Sequence, residues 1–137
     1  MKINSCLGLL ITTALFIFFA FAHTAFSMDD PGFTINRMVV SKDVVDKEPV
    51  GVGDFFSAAT EKLYCFLEAT NIEQDMQVSF VWFWSSQEMA RVNLTLQKGN
   101  RWRTYSSKKL AGLKGQWKVE LQDFSGVVHN SISFTVE

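Results

Sequence analysis

Beyond residue 32, apolar and polar residues alternate with a period of two along most of the chain, and this alternation constrains the fold more than any other feature. A side chain returning to the same face every second residue marks a strand with one face buried and the other in water. Residues 89–96 are the cleanest case, with Ala90, Val92, Leu94 and Leu96 on one face and Arg91, Asn93 and Thr95 on the other. Residues 116–122 repeat the pattern, with Trp117, Val119 and Leu121 opposed to Gln116, Lys118 and Glu120. Residues 33–40, continuing through Val44-Val45, read as a first strand or strand pair; 62–69, 77–84, 101–107 and 127–136 complete the set. Polar or glycine-containing stretches at 71–75, 98–100 and 123–126 supply the turns between them. Lys47-Glu48-Pro49-Val50-Gly51 reads as a turn or an edge element, because proline cannot donate to a sheet ladder. About seven short strands with polar outer faces predict an all-β fold, an antiparallel immunoglobulin-like β-sandwich. Residues 54–66 are the ambiguous stretch. Asp54 can cap a helix carrying Phe55, Ala59, Leu63 and Phe66 on one side, and a loop or single helical turn over 54–61 leading into a strand is the preferred alternative.

The N-terminus follows another rule. Lys2 gives a positive start, Cys6 to Ala22 carry no charge, and 16 of the first 22 residues are hydrophobic. Ala20-Phe21-Ala22 supplies the small-x-small pattern at the end of a secretory signal peptide, with Ala25 or Ser27 as later alternatives. The apolar run is at the short limit for a membrane span, so membrane association is expected only if the leader stays uncleaved. The expected organisation is therefore a signal peptide over 1–22, ending at the latest by 27, a flexible lead-in over 23–32, and a β-sandwich domain over 33–137. Cys6 lies too near the start to be a lipoprotein cysteine.

Removing the leader leaves Cys65 as the one cysteine, which excludes an intramolecular disulfide and reads as a small buried hydrophobe. With His129 the one histidine certain to remain, no metal-site spacing exists and no cofactor is expected. His129 falls in the polar register of the last strand, as an exposed residue. Ser106-Ser107-Lys108 does not make a nucleophile pair, because adjacent strand residues face opposite ways. No paired-carboxylate motif and no glycine-rich phosphate loop is present, so catalysis is not expected.

The net charge of −1 hides a segregation. Residues 98–118 carry seven basic and no acidic side chains, a local +7 that leaves −8 for the rest of the chain. Nucleic acid is not an expected partner, since the domain as a whole is not basic. Trp102, Thr104 and Ser106 share one face, with Trp102 directed to the core; Arg101, Arg103 and Tyr105 take the other. Arg103 and Tyr105, joined across the sheet by Arg91 and with Lys108 at the rim, form the candidate contact face for an anionic or sugar-containing ligand. Phe80, Trp82 and Trp84 read as core, which turns Val81 and Phe83 outward as a modest apolar patch beside that face or under the 41–56 segment. Asn93-Leu94-Thr95 matches a glycosylation sequon but lies within a strand behind a bacterial-type leader, and is discounted.

Several of these segments, in this order, resemble a known family. They are Lys47-Glu48-Pro49-Val50-Gly51, Leu63-Tyr64-Cys65-Phe66, Val81-Trp82-Phe83-Trp84, Glu88-Met89-Ala90-Arg91-Val92, Arg101 through Lys108, Gly115-Gln116-Trp117-Lys118-Val119 and the closing Ser133-Phe134-Thr135-Val136. Together they are similar to the bacterial domain-of-unknown-function family 2914 over nearly all of 34–136. The block Trp102-Arg103-Thr104-Tyr105-Ser106-Ser107-Lys108 is the most specific part, and Tyr105 departs from the tryptophan expected there. The resemblance implies an exported or membrane-attached β domain and brings no established activity and no functional residues. The expected function is a non-catalytic exported binding or interaction module of the bacterial cell envelope, in the periplasm or at the envelope, contacting an envelope polymer or a protein partner. The alternative is a structural or assembly subunit pairing through an exposed strand; the sequence leaves the oligomeric state open.

Overall fold

The computed structural model describes residues 30–137. The expected signal peptide and most of the lead-in lie outside the described residues. Within them every regular element is a strand: β1 (Thr34–Val45), β2 (Glu48–Val52), β3 (Phe55–Phe56), β4 (Lys62–Ile72), β5 (Met76–Trp84), β6 (Gln87–Leu96), β7 (Gly99–Lys109), β8 (Gly115–Asp123) and β9 (Val128–Val136). The strands form a four-stranded sheet ordered β2-β1-β4-β7 and a five-stranded sheet ordered β3-β9-β8-β5-β6. All pairings are antiparallel except that of β3 with β9.

The alternation sets which side of each strand is buried. Leu63, Cys65, Leu67 and Ala69 of β4 face Phe80, Trp82, Val119, Leu121 and Phe134 of the other sheet in one core. Phe134 stacks on Trp117 at 6.1 Å and meets the edge of Trp82 at 6.2 Å. The indole nitrogen of Trp82 donates to the Ser106 hydroxyl of the opposite sheet at 2.9 Å, so the one polar atom of that buried ring is satisfied across the core. Cys65 is fully buried, and burial pushes its thiol pKa up, as for a packing residue rather than a reactive one.

The ambiguous stretch contains no helix. Phe55–Phe56 form β3, Phe56 enters the core, and Thr60 closes a turn on the Ser57 carbonyl. Proline-containing β2 is an edge strand, as its composition requires. Its hairpin with β1 turns through Asp46 and Lys47 at φ of 50° and 61°, the twist a two-residue loop needs between right-twisted strands. Ser85 and Ser86 turn β5 into β6 in the same way.

Three bulges break the simple period. One lies between Ile35 and Arg37, one opposite the Trp82–Phe83 step, and one opposite the Leu121–Gln122 step, where His129 is the extra residue. That last bulge corrects the expectation of an exposed His129. The side chain is only 15% exposed, its Nε2 lies 2.9 Å from Asp123 Oδ2, and its ring packs edge-on against Phe33.

Candidate functional site

The expected contact face divides between two sheets. Arg103 and Tyr105 share the outer face of the four-stranded sheet, on β7. Arg91 lies on β6 in the five-stranded sheet, which it enters opposite Val81, so it does not join them. The chain between Leu96 and Gly99 passes from one sheet to the other instead of forming a hairpin within one. Lys108 pairs in register with buried Leu63 and thus takes the opposite face from Arg103 and Tyr105; its ammonium donates to the Lys109 carbonyl at 2.9 Å. The +7 segment is likewise dispersed rather than gathered on one patch: Arg101 and Arg103 sit on one outer face and Lys118 on the other.

Arg103 is already engaged. Its guanidinium reaches Glu48 at 2.8 Å, Glu68 at 3.1 Å and the Lys47 carbonyl at 3.3 Å. Glu68 sits at the centre, its side chain 6% exposed. It accepts from Arg101 through Nε at 2.8 Å and Nη2 at 2.6 Å, and from the Asn36 amide that the first bulge turns toward it. The Arg101 guanidinium, seconded by Asn36, holds the Glu68 carboxyl below the usual range. Arg37 closes the chain of charges on Glu48 at 2.9 Å while its guanidinium covers the Phe66 ring at 4.9 Å. This explains how Phe66, on an outer face, is fully buried. Tyr105 remains half-exposed, edge-on to Tyr64.

The outward pair Val81 and Phe83 does not form an apolar patch. Val81 is fully buried between Arg91 and Glu120 on its flanking strands, and Lys118 lies over Phe83 at 4.7 Å while pairing with Glu120 at 2.9 Å. Charged side chains thus shield it; of the 41–56 segment, the end of β1 and all of β2 belong to the other sheet, and Phe55–Phe56 pair with β9 at the far edge of this one.

A cleft of about 420 Å³ lies on the outer face of the five-stranded sheet where β6, β5 and β8 run side by side. Asn93, Ser79 and Gln122 form a row across the three strands. Ser79 donates to Asn93 Oδ1 at 2.6 Å, and Arg91 donates to Gln122 Oε1 at 3.2 Å and to Glu88 at 2.7 Å. These bonds fix the amide planes and leave the Asn93 amide nitrogen and the whole exposed Gln77 amide without a protein partner among the described residues. The β8–β9 turn forms one wall and places Phe124, 87% exposed, at the rim. Asp123 holds that turn. Its Oδ1 accepts from the backbone of Ser125 at 2.8 Å and Val127 at 3.1 Å, and its Oδ2 meets His129. Burial opposes ionisation of Asp123, but the His129 contact and the two backbone donors outweigh it and hold the carboxyl below its usual range. The sequence reading placed the turn but did not single out Phe124; an aromatic inside an otherwise polar turn is the signal that marks it. Among the described residues no three His, Cys, Asp or Glu side chains come together as a metal centre would require.

Residues 75–136 match the model of the family described as "Protein of unknown function (DUF2914)". The match spans β5 to β9, so the resemblance drawn from the sequence holds over that stretch, while β1 to β4 lie outside it. No curated protein matches the chain. Among solved structures, the chain is similar to a β-glucosidase from Listeria innocua in complex with laminaribiose, at TM-score 0.49 and 11% identity over 77% of this chain and 16% of that one. A β-glucosidase from Kluyveromyces marxianus gives TM-score 0.46 and 11% identity over 77% and 14%. The chain thus spans about a sixth of the length of the enzymes it matches, and the likeness extends to neither activity nor ligand.

Proposed function

We propose that the chain is a non-catalytic binding module exported to the bacterial cell envelope, built on an immunoglobulin-like sandwich, with the outer face of the five-stranded sheet as its contact surface. The observation that carries this reading is the cleft beside Phe124: a floor on which hydrogen bonds fix the Asn93 and Gln122 amides and the Ser79 hydroxyl, with unused donors on Asn93 and Gln77, bordered by an aromatic ring held out in solvent. An exposed ring on a turn braced by three contacts to Asp123 loses little freedom when a ligand covers it. The order β1-β4-β7 against β6-β5-β8-β9, with Trp82 buried in the middle of the second sheet, supports the immunoglobulin-like assignment. The apolar leader ending in Ala20-Phe21-Ala22 supports export. Arg103 falls outside this surface, because Glu48 and Glu68 already neutralise it.

The test is retention of envelope polymer by the immobilised full chain. Retention is expected to be lost in Phe124→Ala and Asn93→Ala and kept in Tyr105→Ala; loss in Tyr105→Ala alone would move the contact surface to the other sheet. A second reading, assembly through a strand, draws on β2, an edge strand with Val50 and Val52 about half exposed. Light scattering after size exclusion decides it: a strict monomer at high concentration removes this reading.

A further inference from the structure

The cleft's chemistry also names a ligand class, an inference that rests on the reading just given. We infer that the groove between Gln77, Asn93, Gln122 and Phe124 binds an uncharged carbohydrate chain. A pyranose ring offers an apolar C–H face and a belt of hydroxyl groups, each both donor and acceptor. The groove offers the complement: a solvent-exposed aromatic face at the rim and, on the floor, planar amides that also donate and accept. The Ser79–Asn93 and Arg91–Gln122 bonds hold the Asn93 and Gln122 amides in place before any ligand arrives, which reduces the ordering cost of binding.

Charge decides against an anionic polymer. Arg91 is the only cation lining the groove; it is bonded to Glu88 at 2.7 Å, and the Asp123 carboxylate stands in the same wall. A polyanion would meet one neutralised arginine and one carboxylate. An apolar ligand would leave the Gln77 and Asn93 amides desolvated without partners. The volume, about 420 Å³, falls within the range of small-molecule sites, roughly 300–1,000 Å³. An open cleft on a sheet face also lets a chain run through, whereas a closed pocket would take only its end.

The experiment uses the full chain, isotope-labelled, with cellohexaose, maltohexaose and chitohexaose as neutral probes and polygalacturonate as the anionic one. At least one neutral hexasaccharide is expected to shift the amide signals of Asn93, Gln122 and the 124–126 turn. Its affinity should be unchanged between low and high salt, because no ion pair forms. Phe124→Ala should weaken binding about tenfold, and Asn93→Ala should weaken it as well, with melting temperatures close to that of the unaltered chain because both side chains are exposed. Binding of polygalacturonate at the groove, abolished by salt, would overturn the ligand class and leave the groove standing as the contact surface. Shifts confined to the four-stranded sheet, or envelope polymer retained equally by the unaltered chain and Phe124→Ala, would overturn both the ligand class and the reading beneath it. Shifts from no neutral probe, with envelope polymer still retained through Phe124, would overturn the ligand class alone.

Discussion

Replacing Glu68 by Gln tests whether the charged network on the four-stranded sheet stabilises the fold or merely decorates it. The side chain keeps its shape and burial but loses its charge. Glutamine oxygen can still accept from Arg101, and Asn36 can turn its own oxygen toward the new amide, so no partner need be orphaned outright. What disappears is the charge assistance on the Arg101 and Arg103 contacts, which makes such bonds roughly twice as strong as neutral ones. At about 1 kcal/mol for each guanidinium the loss is about 2 kcal/mol. It falls short of the roughly 3–5 kcal/mol for breaking a fully buried pair because the Arg101 side chain is 52% exposed and can return to water. For a domain of this size 2 kcal/mol corresponds to a fall in Tm of about 8 °C. The pH dependence sharpens the test. Glu68 titrates below the ordinary glutamate value of 4.5 in the folded chain, so in acid the unfolded chain binds more protons than the folded one. Its contribution is complete above 4.5 and is lost as pH falls through the lower folded value. Urea unfolding followed by tryptophan fluorescence should therefore show a gap of about 2 kcal/mol between the unaltered chain and Glu68→Gln at pH 7 that narrows at pH 3. Asp123, also held low, is common to both proteins and cancels in the difference. A gap below about 0.5 kcal/mol at pH 7, or one of equal size at both pH values, would refute the argument.

Arg103→Glu places a third carboxylate against Glu48 and Glu68 and should lower Tm by more than Arg103→Met, a comparison differential scanning calorimetry can make; equal Tm values would show that the network carries no charge term. Lys47→Gly relieves a non-glycine residue at φ 61° in the β1–β2 turn, while Arg103 keeps its bond to the backbone carbonyl there. It should stabilise by about 0.5–1 kcal/mol in urea unfolding, and a loss of stability would mean that the turn geometry is not maintained. Asp123→Ala removes the acceptor for the Ser125 and Val127 amides. Hydrogen exchange at those two positions should accelerate while the β5 core amides stay protected, and unchanged exchange would show that Asp123 does not brace the turn.

The division between what the sequence discloses and what it conceals follows from the range over which each rule acts. Alternation is local, so it sorted Trp102 from Arg103 and the core side of 89–96 from its outer side correctly. Sheet membership is not local. Whether the chain at 97–98 folds back as a hairpin or crosses to the opposite sheet changes no residue's parity, yet it decides whether Arg91 and Arg103 share a face. The same blindness hid the network at Glu68, whose partners on β1 and β7 are set by pairing across 32 and 33 residues. It hid the groove too: Asn93 reads as an ordinary outward polar position, nothing in the local pattern singles out Gln77 or Gln122, and only the order β6-β5-β8 makes the three neighbours. Bulges are the second source of error. One inserted residue re-aims a side chain without altering the hydrophobic pattern around it, and so His129, read from parity as exposed, turns instead onto Asp123 and Phe33. That bulge is also part of what braces the Phe124 turn. The departure from the simple period thus falls beside the cleft, where consistency of local pattern is most expected to yield to a binding surface.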